Sequence, residues 1–411
     1  MASQRDEIAA WDAADPMRHF RDQFLLRDGL VYLDGNSLGA LPKATAERMQ
    51  TVVSQEWGEG LIDSWMSANW VEAPRRIGDK IARLIGAGPG EVIVADSTSI
   101  NIFKALTAAL SLREGRKVLL TEAGNFPTDG YMMQGLARFK GNGTECRAVA
   151  REQLLNALTD EVAVLLLTQV HYKTARMHDL AQLTRRAHEV GALVVWDLSH
   201  STGAIEVDLN AAEADFAVGC GYKFLNGGPG APAFLFAAHR HHGAHPVLSG
   251  WFGHARPFDF EEGFEPAPGI DRFQCGTPTI LGMSALESGV DLMLRADMGE
   301  VRRKSIALSE LLIREMQPLC DEFGFSLASP PESAERGSHV AYAHPQAYAM
   351  MQALKARDVI GDFRMPDVMR FGITPLYLGY ADIVEAVDRL RAVCANRDWD
   401  RAAYRDKAFV T

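Results

Sequence analysis

From about residue 90 onward, short near-continuous apolar runs recur, with stretches of helical spacing between them. The runs are Val92–Ala95, Lys117–Thr121, Val162–Thr168 and Ala192–Asp197. Strands with one wet face alternate apolar and polar residues, and these do not. Continuous runs fit strands covered on both faces of a parallel sheet. Helices are predicted between them, for example over Ile100–Leu110 and Leu180–Val190. The pattern predicts an α/β fold with a mostly parallel central sheet, helices on both faces, and ligands at the carboxyl ends of the strands.

The flanking pattern differs. Residues 1–30 predict one or two short helices, and Val31–Gly39 a short strand that breaks into the turn Asp34-Gly35-Asn36-Ser37. Pro42 sits where a first helical turn tolerates it and opens a helix to about Trp57, and a second helix is expected from Pro74 to Ile85. Beyond residue 280 the pattern is helix-rich, with short strands near Phe325–Leu327 and His339–Ala343. The expected organisation is an N-terminal segment, 1–60, packing with a small C-terminal α+β domain, 281–411, and a large α/β domain over 61–280. No internal repeat or low-complexity segment occurs, and Asn142-Gly143-Thr144 reads as a turn.

Composition narrows the function classes. At 411 residues the chain buries a large core. Its net charge of -11 argues against general nucleic-acid binding, which wants a basic face. Five scattered cysteines (Cys146, Cys220, Cys275, Cys320 and Cys394) form no CxxC pair, so neither a zinc site nor a disulfide framework is expected, and a cytoplasmic location is. The polar N-terminus lacks a signal-peptide pattern, and no apolar run has membrane-spanning length.

The chemistry concentrates on Asp215–Gly230, an apolar run ending at Lys223 and followed by a glycine-rich loop. The loop lacks the Gly-Lys-Ser/Thr ending of a P-loop. A lysine at the mouth of a buried strand loses solvation, which frees its amine as a nucleophile and base; in isolation, such a lysine is usually a solvated loop residue. One βα unit earlier, the run Val194–Trp196 ends in Asp197, with His200 three residues on. A buried Asp facing a pyridine nitrogen, together with a Lys that holds an aldehyde, is what pyridoxal 5'-phosphate (PLP) requires. Ser97 and Thr98 stand where the first core strand meets a helix and suit a phosphate, or serve as a plain N-cap. Phe126, in Phe126-Pro127-Thr128-Asp129 after the second strand, suits a flat ring or the core, and Thr168 closes the third strand. Arg370 is expected after a helical stretch, opening a strand-like segment, as a bidentate carboxylate clamp or a surface salt bridge. Trp57, Trp65, Trp70 and the Gly250–His254 segment suggest an aromatic pocket or local packing. His239, His241, His242 and His245 read as a solvated loop, so no metal site is expected.

Together these stretches resemble the kynureninases, PLP enzymes of the aspartate-aminotransferase type (fold type I). The matching motifs are Tyr32–Gly39, Phe126–Asp129, Trp196–His200, Gly221–Gly230, Gly250–His254 and Arg370–Tyr377, in the family's order and over nearly the whole chain. The resemblance implies that Lys223 carries PLP as a Schiff base, that Asp197 pairs with the ring nitrogen, and that His200 and Phe126 flank the ring. It gives Ser97, Thr98, Thr128 and Tyr222 to the phosphate, and includes Asp129 and Thr168 in the cofactor site. Trp251 and Thr277 would reach the phosphate of a neighbouring subunit, so a homodimer with shared sites is implied. Arg370 would bind the substrate α-carboxylate, with Trp65, Asn36 and Ser37 shaping the aromatic end. The implied reaction is hydrolysis of the Cβ–Cγ bond of L-kynurenine to anthranilate and L-alanine in tryptophan catabolism, with Lys223 and Tyr222 moving protons. Relatives that prefer 3-hydroxykynurenine resemble this chain with His and Asn in place of Trp65 and Thr277, so L-kynurenine is the expected substrate. Two rivals remain at this stage: a cysteine desulfurase, which needs a catalytic cysteine on a mobile late loop unlike Cys320 or Cys394, and a non-catalytic PLP-fold sensor.

Overall fold

Seven strands form the central sheet of the computed structural model, which describes residues 4–245 and 247–404. In chain order they are β1 (Val92–Val94), β2 (Val118–Glu122), β3 (Glu145–Val149), β4 (Val162–Thr168), β5 (Leu193–Asp197), β6 (Phe216–Cys220) and β7 (Ala233–Ala237). The spatial order is β1-β7-β6-β5-β4-β2-β3. From β6 to β3 every neighbour is parallel, while β7 runs antiparallel to both β6 and β1.

The apolar runs are continuous because both faces are covered. Leu119, Val164, Val195, Val218 and Leu235 point into one core with Ile102, Ala105 and Met133 from the helices Thr98–Ser111 and Pro127–Lys140. Their neighbours Leu120, Leu165, Val194, Trp196 and Phe234 point into the other, with Ile77, Ile81 and Leu183. Each Leu, Val, Ile, Met or Phe among them contributes roughly 1.5–3 kcal/mol on burial. Trp196 brings a polar atom into that core and satisfies it by donating from Nε1 to Thr184 Oγ1 at 3.0 Å.

Two strands escape the sequence pattern, and one is oriented otherwise than expected. β3 is an edge strand with no fully buried residue, so its run Glu145-Cys146-Arg147-Ala148-Val149 lacks the continuous apolar signature. β7 follows the glycine-rich loop directly, with no helical stretch to mark it. That short connection makes β7 antiparallel, and β1 pairs only with it, so β1 is an antiparallel edge rather than part of the parallel ladder. Since β7 reverses direction, β1 still points the same way as β6, and its carboxyl end joins the common edge.

C-terminal to the helix Met298–Phe323 lies a four-stranded antiparallel sheet of β8 (Ser326–Leu327), β9 (His339–Ala343), β10 (Asp362–Arg364) and β11 (Val368–Gly372), ordered β10-β11-β9-β8. The N-terminal Val31–Tyr32 pairs in parallel with Val359–Ile360. Arg370 therefore stands in the middle of β11 behind the hairpin partner β10, not at the end of a helix. The histidine-rich stretch is also anchored rather than solvated throughout. His241 is buried with Nε2 2.8 Å from Asp215 Oδ1, and Asp215 also accepts from Val194 N and Arg240 Nη2, whereas His239 and His245 are exposed. Among the described residues no helix is long and apolar enough to cross a membrane.

Candidate active site

Each parallel strand ends at one edge of the sheet, and the side chains just past those ends converge. They line a cavity of about 250 Å³ that includes Thr98, Phe126, Thr128, Asp129, Thr168, Asp197, His200, Tyr222 and Lys223. Ser99, Ile102 and Ser199 complete it. Only register explains the convergence. Thr168 on β4 lies directly beside Asp197 on β5, and Asp197 beside Val218 on β6, so residues far apart in sequence share one edge.

Lys223 reaches the cavity because the chain turns sharply after β6. Asn226 donates its backbone N–H to Lys223 O at 2.9 Å, and Gly39 packs against the same carbonyl. A Cβ on Gly39 would stand 2.3 Å from Lys223 O, so only glycine admits this approach. Lys223 Nζ is 3.4 Å from His200 Nε2 and 3.5 Å from Nδ1. Burial, then the charges of Lys223 and Arg370, hold the His200 imidazole well below its usual range, so it is neutral.

Two buried carboxyl groups share the floor. Ser199 N donates to Asp197 Oδ1 at 2.8 Å, and Thr168 Oγ1 donates to Asp129 Oδ2 at 3.1 Å. Burial and then the proximity of Asp197 push Asp129 well up, while for Asp197 burial raises and Lys223 opposes. Burial thus lifts both carboxyls, and only Asp197 has the Lys223 charge as its leading opposing influence. Thr168 therefore lines the cavity and ties Asp129 to β4. Cys220, burial and Asp197 all push the Tyr222 phenol up, so it keeps its O–H and acts as a donor.

The donor set fits a phosphorylated, aldehyde-bearing pyridine. Thr98 opens a helix of fourteen residues, its Oγ1 is buried without a hydrogen-bond partner, and the unpaired N–H groups of that first turn face an anion favourably. Thr128 stands in the first turn of a second helix, Pro127–Lys140. Ser97 caps the first helix, accepting from Ile100 N, and does not line the cavity. Phe126 is 39% exposed and packs edge-on to Tyr172.

The remaining predicted residues lie in two other places. Arg370, Ser37 and Asn36 form a buried seam on the C-terminal sheet, where Arg370 donates from Nε to Asp362 Oδ1 at 2.7 Å and from Nη2 to Asp362 Oδ2 and Ser37 Oγ. Its planar fork is thus filled by Asp362, a residue no sequence pattern singles out. Trp65, Trp251 and Thr277 lie apart from the cavity within the chain. Trp65 packs edge-on to Trp70 and at 6.0 Å from Phe252, Trp251 stacks against Phe260, and Thr277 is exposed. Ser37 contacts Arg370 and Asp362 instead of joining Trp65.

Comparison with known proteins decides the family. A kynureninase from Deinococcus radiodurans is 49% identical over 94% of this chain and 95% of its own length, and one from Pseudomonas fluorescens is 46% identical over 99% of each. The chain belongs to the kynureninase family. A family model described as the kynureninase C-terminal domain matches residues 301–390, which span β9, β10 and β11. Among solved structures, a cysteine desulfurase from Thermococcus onnurineus NA1 superposes with a TM-score of 0.77 at 18% identity, over 92% of this chain and 98% of that one. A mutant of the cystine C–S lyase C-DES, solved with glycine covalently linked to its PLP cofactor, also gives 0.77 at 18%, over 90% of this chain and 98% of that one. At that identity the likeness shows the fold, that of fold-type-I PLP enzymes. It does not carry desulfurase chemistry here, because Cys394 is buried in the helix Tyr380–Ala395 and Cys320 lies inside Met298–Phe323.

Proposed function

We propose that this enzyme hydrolyses the Cβ–Cγ bond of L-kynurenine, giving anthranilate and L-alanine, with PLP held on Lys223. The observation that carries the reading is the pairing of Lys223 with buried Asp197 and neutral His200 in one cavity, in a chain of this family. The first turn from Thr98 and the hydroxyl of Thr128 would hold the phosphate, and Asp197 would face the protonated ring nitrogen. When bound, PLP supplies an electron sink for charge developing on the substrate carbons.

The chain's own groups do the rest. Lys223 Nζ takes the proton from Cα and later returns one there, and once the Cβ–Cγ bond breaks the pair left on Cβ takes a proton from Tyr222, general acid–base steps typically worth about 10²–10⁴-fold. Neutral His200 and Phe126 both line the cavity and would flank the PLP ring, with His200 not competing for that proton. Tyr222, kept protonated, donates a hydrogen bond as water adds to the γ-carbonyl. Arg370 takes the α-carboxylate, which orients the Cβ–Cγ bond for cleavage.

A homodimer with shared sites is part of the proposal. Trp251 and Thr277 from one copy complete the phosphate site of the other. Exposed Trp251, Phe258 and Phe260, with Trp57, Ile62 and Met66 near Trp65, support an apolar face that a second copy covers. Trp65, with no hydrogen-bond acceptor in its ring, supports L-kynurenine over its 3-hydroxy derivative. A cytoplasmic place in tryptophan breakdown, and a division into 1–60, 61–280 and 281–411, complete the reading. The test is to incubate the PLP-loaded protein with L-kynurenine and follow anthranilate fluorescence against L-alanine release. The proposal expects the two in equal amounts, and neither appearing would refute it.

A further inference from the structure

His339 has no part in the account above, yet its environment is unusual. It stands on β9 with no exposed surface, and both ring nitrogens lack a hydrogen-bond partner. Its ring lies 5.7 Å from that of His200, whose other neighbour is Lys223 Nζ. An unpaired buried polar group opposes folding, so such a group calls for an account. Burial and then Arg370 hold its imidazole well below the usual range, leaving one N–H donor and one acceptor.

A second orphan lies beside it. His339 sits directly opposite Gly372 in the antiparallel β9–β11 pair, which places the two Cβ positions about 5 Å apart on the same face. Asn36 Oδ1 lies 2.1 Å from where a Cβ on Gly372 would be, so the glycine makes room for that amide next to the imidazole. Asn36 is wholly buried, and neither its Oδ1 nor its Nδ2 has a partner. Arg370 faces the same side of the sheet two residues along β11.

Arg370 does not complete a carboxylate site unaided. A guanidinium has five N–H donors. Here Nε and one Nη2 proton go to Asp362, the other Nη2 proton to Ser37, and one Nη1 proton to Tyr172 O, which leaves a single free donor on Nη1. A carboxylate has two oxygens to satisfy.

We infer that His339 and Asn36 are the missing donors, and that with the free Nη1 proton of Arg370 they form the pocket for the substrate's α-carboxylate. Arg370 supplies charge and one hydrogen bond, Asp362 fixes its plane, and the neutral imidazole and amide bind the second oxygen. This rests on the proposed amino-acid substrate and adds His339 as a substrate-binding residue. It also moves Asn36 from the aromatic end to the carboxylate end.

The test uses PLP-loaded His339→Leu and His339→Gln. Equilibrium binding is measured for L-alanine and for L-alaninamide, which lacks the carboxylate. In the Leu variant, L-alanine binding should weaken about 10- to 100-fold, the range expected for a lost hydrogen bond to a charged group. Binding of L-alaninamide should be unchanged. The Tm should hold or rise, because an unpaired polar group has left the core. KM for L-kynurenine should rise far more than kcat falls, and Gln, which keeps a donor, should recover most of the affinity. A Leu variant that binds L-alanine like the parent would overturn the inference, and is the result expected if the two orphans only enclose a buried water. A parent that binds L-alanine but neither cleaves L-kynurenine nor releases anthranilate would instead refute the proposed reaction while leaving the carboxylate pocket standing.

Discussion

Lys223 Nζ lies within 3.5 Å of both nitrogens of His200, over a ring that burial keeps neutral. The amine therefore has a flat, uncharged neighbour that neither repels its protonated form nor holds its proton. On the proposed reading, Lys223→Ala loses covalent PLP and at least about 10²-fold in turnover. Borohydride reduction followed by peptide mass mapping reads the first and a rate assay the second. A labelled peptide elsewhere in the chain would remove Lys223 from its role.

Asp197 is fixed by Ser199 N and set beside Thr168 by the β4–β5 register. On the proposed reading, Asp197→Glu would keep a carboxylate near the PLP ring nitrogen, and Asp197→Ala would not. The Ala variant should lose more kcat than the Glu variant, with the cofactor still bound in both. Equal rates for both and the parent would show that the ring nitrogen finds its partner elsewhere.

The cavity was largely legible in the sequence, and the seam beside it was not. Asp197, Thr168 and Lys223 stand at or just past the ends of apolar runs, and strand ends meet at one edge in a parallel sheet, so local pattern locates them. Asp362 and His339 meet Arg370 only through the antiparallel register of β9, β10 and β11, which no local spacing encodes. The same holds for His241, which reads as loop until Asp215 is found beneath it. β3 was missed because an edge strand need not be apolar.

Asp362 and Arg370 are each 1% exposed, so they form a buried pair. Burial alone would raise the Asp362 carboxyl, but the hydrogen bonds and charge of Arg370, with Arg364, outweigh it and hold it at about 2. A depressed carboxylate contributes stability that is present above its unfolded value near pH 4 and lost as pH falls towards 2. Asp362→Asn leaves Arg370 buried without its counter-charge and should cost about 3–5 kcal/mol at neutral pH. Denaturant melts across pH should show the parent losing stability between pH 4 and 2 more steeply than the variant.

The proposed shared sites predict complementation. An inactive Lys223→Ala subunit mixed with an inactive Trp251→Ala subunit gives a hybrid in which one of the two sites has both residues intact. Activity should reappear in that hybrid, as measured after refolding the mixture and isolating the doubly tagged species. Isolated hybrids without activity would place Trp251 outside the partner's site.

The roles proposed for Trp65 and Thr277 predict substrate choice. A ring hydroxyl buried against indole without a partner costs about 1–3 kcal/mol, so L-kynurenine should exceed 3-hydroxykynurenine by roughly 10- to 100-fold in kcat/KM. The Trp65→His, Thr277→Asn double variant should narrow or reverse the ratio. An unchanged ratio would take the preference away from these two positions.

The central claim, hydrolysis at the γ-carbonyl, is tested most directly by running the reaction in ¹⁸O-labelled water. Water that adds to the carbonyl leaves in the carboxyl group of anthranilate, so the mass of anthranilate should rise by the label while that of L-alanine does not. Anthranilate formed without label, or a keto acid formed in its place, would contradict the account.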